Sequence, residues 1–307
     1  MILRRHFVVA GLSATGGALL PLAANAQAAV AAAGAVEFVV GDATISRGGA
    51  SLPIQSGTQV REGDLIQTKR DAEVHVKFED GGYLAVRADS AVRIDRYVAK
   101  GEPADTAAMT LVKGALRSVT GWIGKIGAPG QYRIQASTAT VGVRGTDHEV
   151  LLVEADQATP QLAAGVHNRV NEGATTLTNT QGKIEIARGS AAFASQGQAP
   201  RAHATVPPIF NRLRTANEGR VRDHARAIQQ HMTQGLRARG KLQGQETAAD
   251  FLRRSRKSAQ AGPGKEASGK AQRQADRRAA AEERRSKAQQ ERQGRRAGRK
   301  KGAGEGR

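Results

Sequence analysis

The chain has 307 residues, a formal net charge of +19, no cysteine and ten aromatic residues. Without cysteine there is no disulfide framework, no thiolate-ligated zinc or iron–sulfur centre and no thiol nucleophile. The charge is unevenly divided. Residues 1–26 carry two arginines and no acid, residues 27–200 carry 17 basic and 18 acidic residues, and residues 201–307 carry 28 basic and 10 acidic. A near-neutral body therefore precedes a strongly cationic C-terminal part.

The N-terminus places Arg4 and Arg5 before an apolar stretch, Phe7 to Leu22, and then the small-x-small site Ala24-Asn25-Ala26. This three-part layout is that of a secretory signal peptide, cleaved between Ala26 and Gln27. The stretch falls short of the roughly 20 residues of a membrane span, and its glycines and Pro21 weaken it further. The arginine pair fits both a twin-arginine and a general secretory signal. The expected address is the periplasm or the outside, with no transmembrane span in the mature chain. Residues 27–35 read as a flexible, alanine-rich lead-in.

From Val36 the dominant period is two. Val36, Phe38 and Val40 alternate with other residues, as do Val74, Val76 and Phe78. Asp80-Gly81 then supplies a hairpin turn, because both positions tolerate positive φ. Leu84, Val86, Val92 and Ile94 continue the pattern. Short strands are expected at 109–112, 115–119, 132–135, 140–143, 149–153, 175–178 and 183–187. Many short strands separated by Gly or Asp predict an all-β domain over 36–200. Gly114, Gly173 and Gly182 each precede a strand, which suggests stacked hairpins or a solenoid-like wrap.

Four segments then carry a resemblance. Gly57-Thr58-Gln59-Val60-Arg61-Glu62-Gly63-Asp64-Leu65-Ile66-Gln67-Thr68, Phe78-Glu79-Asp80-Gly81-Gly82-Tyr83-Leu84, Lys113-Gly114-Ala115-Leu116-Arg117 and Val143-Arg144-Gly145-Thr146-Asp147 resemble, in this order, motifs of the FecR-like periplasmic domain family. Ser137-Thr138 stands where that family has Thr-Pro, and His148 where it has an aromatic residue. The resemblance covers about residues 40–150, and Gly173–Phe193 looks like the hairpin that follows in free-standing members. It implies a β-rich protein-interaction module. The family's best-known members are transmembrane sensors that pass a ferric-siderophore signal to a cytoplasmic sigma factor. The anti-sigma segment and the membrane span of those sensors have no counterpart in this sequence, so their role is not carried over.

The motif residues also have structural readings. Gly57, Gly63, Gly81, Gly114 and Gly145 allow turns or close backbone approach. Asp64 and Asp80 can bond turn amides. Thr68, Phe78 and Thr146 read with them as fold-holding residues. Val143 and Val150 are core candidates, and Arg144 could pair with Asp147 or Asp64.

No nucleophile elbow, zincin, phosphate-loop or dinucleotide motif is present, so neither an enzyme nor a cofactor is expected. Asp147-His148-Glu149 is the densest polar cluster, but on a strand Asp147 and Glu149 share one face while His148 points away. No metal is expected there. Trp122, the single tryptophan, reads as a core anchor. His224 and His231 lie two helical turns apart, on what reads as a solvated face.

Beyond Pro207-Pro208 the period changes. Val221, Ala225, Ile228, Met232 and Leu236 form one helical stripe among arginines and glutamines, and 246–257 reads as a second short helix. The sequence thus divides into a signal at 1–26, a lead-in at 27–35, a β-domain at 36–200, a linker with basic amphipathic helices at 201–258 and a tail at 259–307. Leu252 is the last large apolar residue; beyond it, 253–307 carry 19 basic and 6 acidic residues. Such a segment cannot offset its ordering entropy and should be disordered. Its expected partners are anionic envelope surfaces, while the body binds an unknown envelope protein or polymer. A regulator in an envelope or iron-responsive relay is the second reading. A nucleic-acid-binding protein is a third, only if the N-terminus is not a signal.

Overall fold

A computed structural model describes residues 31–255 apart from 129 and 138. The signal, its cleavage site at Ala24, Ala26 and Gln27, and the tail 259–307 lie outside the described residues. The strands are β1 (Ala32–Val40), β2 (Ala43–Arg47), β3 (Ala50–Pro53), β4 (Gln59–Arg61), β5 (Leu65–Thr68), β6 (Glu73–Phe78), β7 (Tyr83–Val86), β8 (Ala91–Val98), β9 (Thr106–Val119), β10 (Tyr132–Ala136), β11 (Ala139–Val153), β12 (Gly165–Asn179), β13 (Gly182–Ala187), β14 (Ala191–Ala194) and β15 (Arg201–Ala202). The helices are α1 (Ile123–Ile126), α2 (Ile209–Arg212) and α3 (Glu218–Ala238), and residues 248–255 are helical as well.

Three strands organise the rest. β9, β11 and β12 are 14, 15 and 15 residues long, and each changes partners beside a glycine at positive φ: Gly114 (+79°), Gly145 (+66°) and Gly173 (+79°). Before Gly114, β9 pairs with β8 and, in parallel, with β10; after it, with β7 and β11. β11 and β12 divide in the same way. One ladder runs β3-β2-β5-β8-β9-β10-β11-β12-β13, the other β4-β1-β6-β7-β9-β11-β12-β14-β15, and the three long strands pass through both.

Glycine is required at these corners for two reasons. Positive φ is strained for any residue with a Cβ, and the space is occupied. A Cβ on Gly173 would lie 2.5 Å from the Gly145 carbonyl oxygen, and one on Gly114 would lie 2.3 Å from Ser90 Oγ. Gly173→Ala is therefore expected to destabilise the protein by about 1–3 kcal/mol from backbone strain alone. A urea midpoint equal to wild type would show that the corner relaxes.

The inner faces share one core. Ile66, Met109, Leu111, Ile134, Val141 and Leu177 from the first ladder and Val76, Leu84, Leu116, Val150 and Val166 from the second belong to a single buried cluster. Val143 and Val150 are in it, as the alternation predicts. The second ladder is also covered on its outer face. Phe210 of α2 packs on Leu151 and Val153, and Val221 of α3 packs on Tyr83, Ala85 and Val119. Met232 and Leu236 reach the main core, as do Ala248, Phe251 and Leu252 from helical residues 248–255. The helices after Pro208 thus dock on the sheet. Among the described residues no helix is long and apolar enough to cross a membrane.

Two expectations need correction. The lead-in is shorter than 27–35: Ala32–Ala35 belong to β1 and pair with β4 and β6. Segments 109–112 with 115–119, and 140–143 with 149–153, are not separate strands. Each pair is one long strand, since its glycine bends the chain without ending the ladder.

Candidate interaction surfaces

The motif residues hold the corners and turns. The buried Asp64 carboxylate accepts two hydrogen bonds from Arg47, both 2.7 Å, and one from the Arg61 N–H, also 2.7 Å. Gly57 and Gly63 turn the chain at φ +86° and +88°. Thr68 Oγ donates to the Arg87 carbonyl at 2.5 Å and accepts from the Ser90 N–H. Phe78 stacks on Tyr97, whose hydroxyl donates to Asp80. Asp80 also accepts from the Gly82 and Ile123 N–H groups, tying the β6–β7 hairpin to α1; burial still raises its pKa. Gly81 admits the backbone of α3, since a Cβ there would lie 2.9 Å from the Met232 nitrogen. Beside Gly145 the Thr120 N–H donates to the Thr146 carbonyl at 2.9 Å, and the Thr146 N–H donates to the Thr120 hydroxyl at 2.8 Å.

Arg144 pairs with neither expected partner. Asp64 is taken by Arg47, and Asp147 by Arg117 at 2.8 and 2.5 Å. Arg144 points outward and is exposed.

Alternation also places charges on the outer face of the second ladder, beneath the C-terminal helices. Arg87 bonds Glu73 at 2.6 Å and Glu218, the first residue of α3, at 2.8 Å. Arg117 bridges Asp147 and the same Glu218. Glu73 further receives Thr215 Oγ at 2.6 Å and Asn217 Nδ2 at 3.0 Å, with His75 Nε2 at 2.9 Å. Burial pushes the Glu73 carboxyl up, but the contacts from His75, Thr215 and Asn217 outweigh it and hold its pKa at about 2. Burial lowers the pKa of Arg87, against the attraction of Glu73 and Glu149. The helical segment is thus joined to the sheet by a buried charged seam.

Asp147 and Glu149 face this seam while His148 points into the core, where Asn168 Nδ2 lies 3.2 Å from its Nδ1. Burial lowers the His148 pKa to about 4. Among the described residues no group of three or more His, Asp or Glu could hold a metal ion. His224 is not on a solvated face: it is buried, stacks between Tyr83 and His231 at 4.3 and 4.2 Å, and its Nε2 lies 2.9 Å from the Gly81 carbonyl. The helix is rotated so that this face meets the β6–β7 hairpin. Trp122 is fully buried, donates its indole N–H to Asp105 at 3.0 Å and lies against Gly235 of α3.

The first ladder is different outside. A groove of about 840 Å3 opens there between β10–β13 and α1. Lys125, Arg133, Arg144 and Lys183 line it, against one carboxylate, Glu185. Its floor follows the cross-strand rows Arg133–Gly142–Thr176–Glu185, Thr140–Thr178–Lys183 and Arg144–Ala174.

The model of the FecR protein family matches residues 64–166. The chain carries a FecR domain. Two crystal structures of a protein from Parabacteroides distasonis ATCC 8503, described as a candidate anti-sigma factor, are similar at 12% and 11% identity, with TM-scores of 0.36 and 0.37. The alignment covers 48% of this chain and 62% of each of those, so the chain spans less than two thirds of their length. No curated protein matches the sequence.

The FecR domain begins at Asp64, runs through the corners at Gly114 and Gly145, and ends in the first half of β12. It contains Lys125, Arg133 and Arg144 of the groove, while Lys183 follows it. The motifs lead to Arg144 and to Gly145 beside it, but not to Arg133 or Lys183. Those residues join the groove only through strand neighbours, a signal that lies in register and not in spacing.

Proposed function

We propose that the protein is a non-enzymatic FecR-type interaction module exported to the cell envelope, where it binds another envelope protein or polymer. The FecR match over residues 64–166 carries this reading. The open, cationic groove, whose Lys125, Arg133 and Arg144 lie within that match, supports it as a place for a partner. Export follows from the signal at 1–26, with cleavage before Gln27 by the twin-arginine or the general secretory route. Crosslinking in intact cells, with mass spectrometry of the captured species and of the mature N-terminus, tests the reading. An envelope partner and a chain beginning at Gln27 are expected. A full-length, uncleaved protein in the cytoplasm would refute it.

The tail's role belongs to the same proposal. Residues 259–307 hold the module near anionic surfaces, and the β-domain supplies specificity. Binding to anionic vesicles should therefore fall steeply with salt, as the screening length shrinks from about 10 Å at 0.1 M to about 3 Å at 1 M. Deleting 259–307 should abolish that binding and leave the unfolding midpoint unchanged. Undiminished vesicle binding by the truncated protein would move the surface to the β-domain.

The second reading is a regulator in an envelope or iron-responsive signalling relay. The FecR match favours it, since sensors of that family carry such signals. A crosslinked partner that is a receptor or an anti-sigma protein would select it.

A further inference from the structure

We infer that the groove over β10–β13 takes an acidic peptide segment of a partner protein, its carboxylates held by Arg133, Arg144 and Lys183. The inference rests on the interaction-module reading above and adds the place and the chemistry.

The groove has the size of a ligand site, since such sites run to roughly 300–1,000 Å3. Its charge is one-sided: four cationic side chains line it against Glu185. Among the described residues Arg144 and Lys183 make no ion pair, and Arg133 makes only a 3.3 Å hydrogen bond to the Gly130 carbonyl. Guanidinium forks match carboxylates in a planar, two-bond geometry. Thr140, Thr176 and Thr178 add hydroxyls that can donate to or accept from a peptide backbone. No lining residue is aromatic, whereas single-stranded nucleic acids are held largely by stacking on such rings. The chain's own C-terminal segment is not the occupant, because 253–307 are as cationic as the groove.

Gly142 points the same way. It sits in mid-strand at the centre of the floor, yet no local geometry demands a glycine. Its φ is not in the left-handed region, and a Cβ would meet nothing nearer than the Thr176 carbonyl oxygen at 3.8 Å. Glycine weakens a strand interior and often marks a close approach of a ligand or another backbone. On the adjoining row of the floor Ala174, opposite Arg144, is also small. Together they leave the hollow between Arg133, Arg144 and the threonines.

The test uses the full chain and a fluorescent hexaglutamate peptide carrying a photo-crosslinker. Gly142→Phe fills the floor from a position with free space and should keep the wild-type unfolding midpoint. It and the pair Arg133→Ala/Arg144→Ala should each weaken hexaglutamate binding about tenfold or more, the worth of a lost charge-assisted contact. Crosslinks should map to β10–β13. Wild-type affinity in both variants, or crosslinks confined to 256–307, would overturn the inference and assign the binding to the tail. An anionic oligosaccharide that loses affinity in these variants while hexaglutamate does not would equally overturn it, in favour of a glycan. If an envelope partner is still captured in cells by Gly142→Phe at the wild-type level, the groove fails while the module reading stands.

Discussion

Arg117→Ala is expected to destabilise the protein by about 3–5 kcal/mol, the cost of stripping one partner from a buried ion pair. Arg117 joins β11, through Asp147, to α3, through Glu218, and both carboxylates are buried with it. Its removal leaves Asp147 with the 3.2 Å bond from Asn171 and Glu218 with Arg87. Glu149 lies on the same face of β11, so the seam would hold four carboxylates against one guanidinium. With typical stabilities of about 5–15 kcal/mol, such a loss is a large share of the whole. Unfolding in urea would measure it. The double variant Arg117→Ala/Asp147→Ala should lose less than the two single variants summed, because it removes a stranded charge together with its partner. Additive losses would show that the two side chains do not act as a pair. Arg87→Ala should behave alike, since Arg87 closes the other half of the seam between Glu73 and Glu218.

The all-β class was legible because the inner residues alternate cleanly. Val74, Val76 and Phe78 followed by Asp80-Gly81 specify β6, its turn and β7 within fourteen positions (73–86). The long strands were not legible as units. A glycine at positive φ looks in sequence like the end of a strand, and only the pairing of both halves shows that the ladder continues. The first half of β12 was hidden because two of its buried residues, His167 and Asn168, are polar, and β14 because it is Ala-Ala-Phe-Ala. The helix stripe from Val221 to Leu236 was visible from its period, but the seam it closes was not. Arg87 and Glu218 are 131 positions apart, and an isolated charge in a sequence reads as solvated. The same limit applies to the groove, whose cations come from α1 and three separate strands.

Acidification should unfold the protein in two steps of different origin. Burial holds His148 and His224 at about 4, against about 6.5 for an exposed histidine. His148 meets only the partial compensation of Asp147. For His224 the bond to the Gly81 carbonyl opposes burial, while His231 and Lys77 reinforce it. The unfolded chain therefore binds more protons than the folded one between pH 6.5 and 4, and stability falls as pH falls through that window. At roughly 1.4 kcal/mol for each unit, the fully buried His148 alone contributes about 3 kcal/mol. Glu73 acts lower. Its folded pKa of about 2 lies below the usual carboxylate range, so its contribution persists above pH 4.5 and is lost between 4.5 and 2. Asp80 works in the opposite sense, since burial raises its pKa and protonation relieves its cost. Urea midpoints measured from pH 8 to 4 should decline, and His148→Leu should decline less steeply, by about one proton in the slope. Asn168 keeps a partner in that variant, because its Nδ2 also donates to the Glu149 carbonyl at 2.8 Å. A His148→Leu profile parallel to wild type would show that this histidine takes up its proton without leaving the core, and that the acid sensitivity arises at the α3 contact through His224.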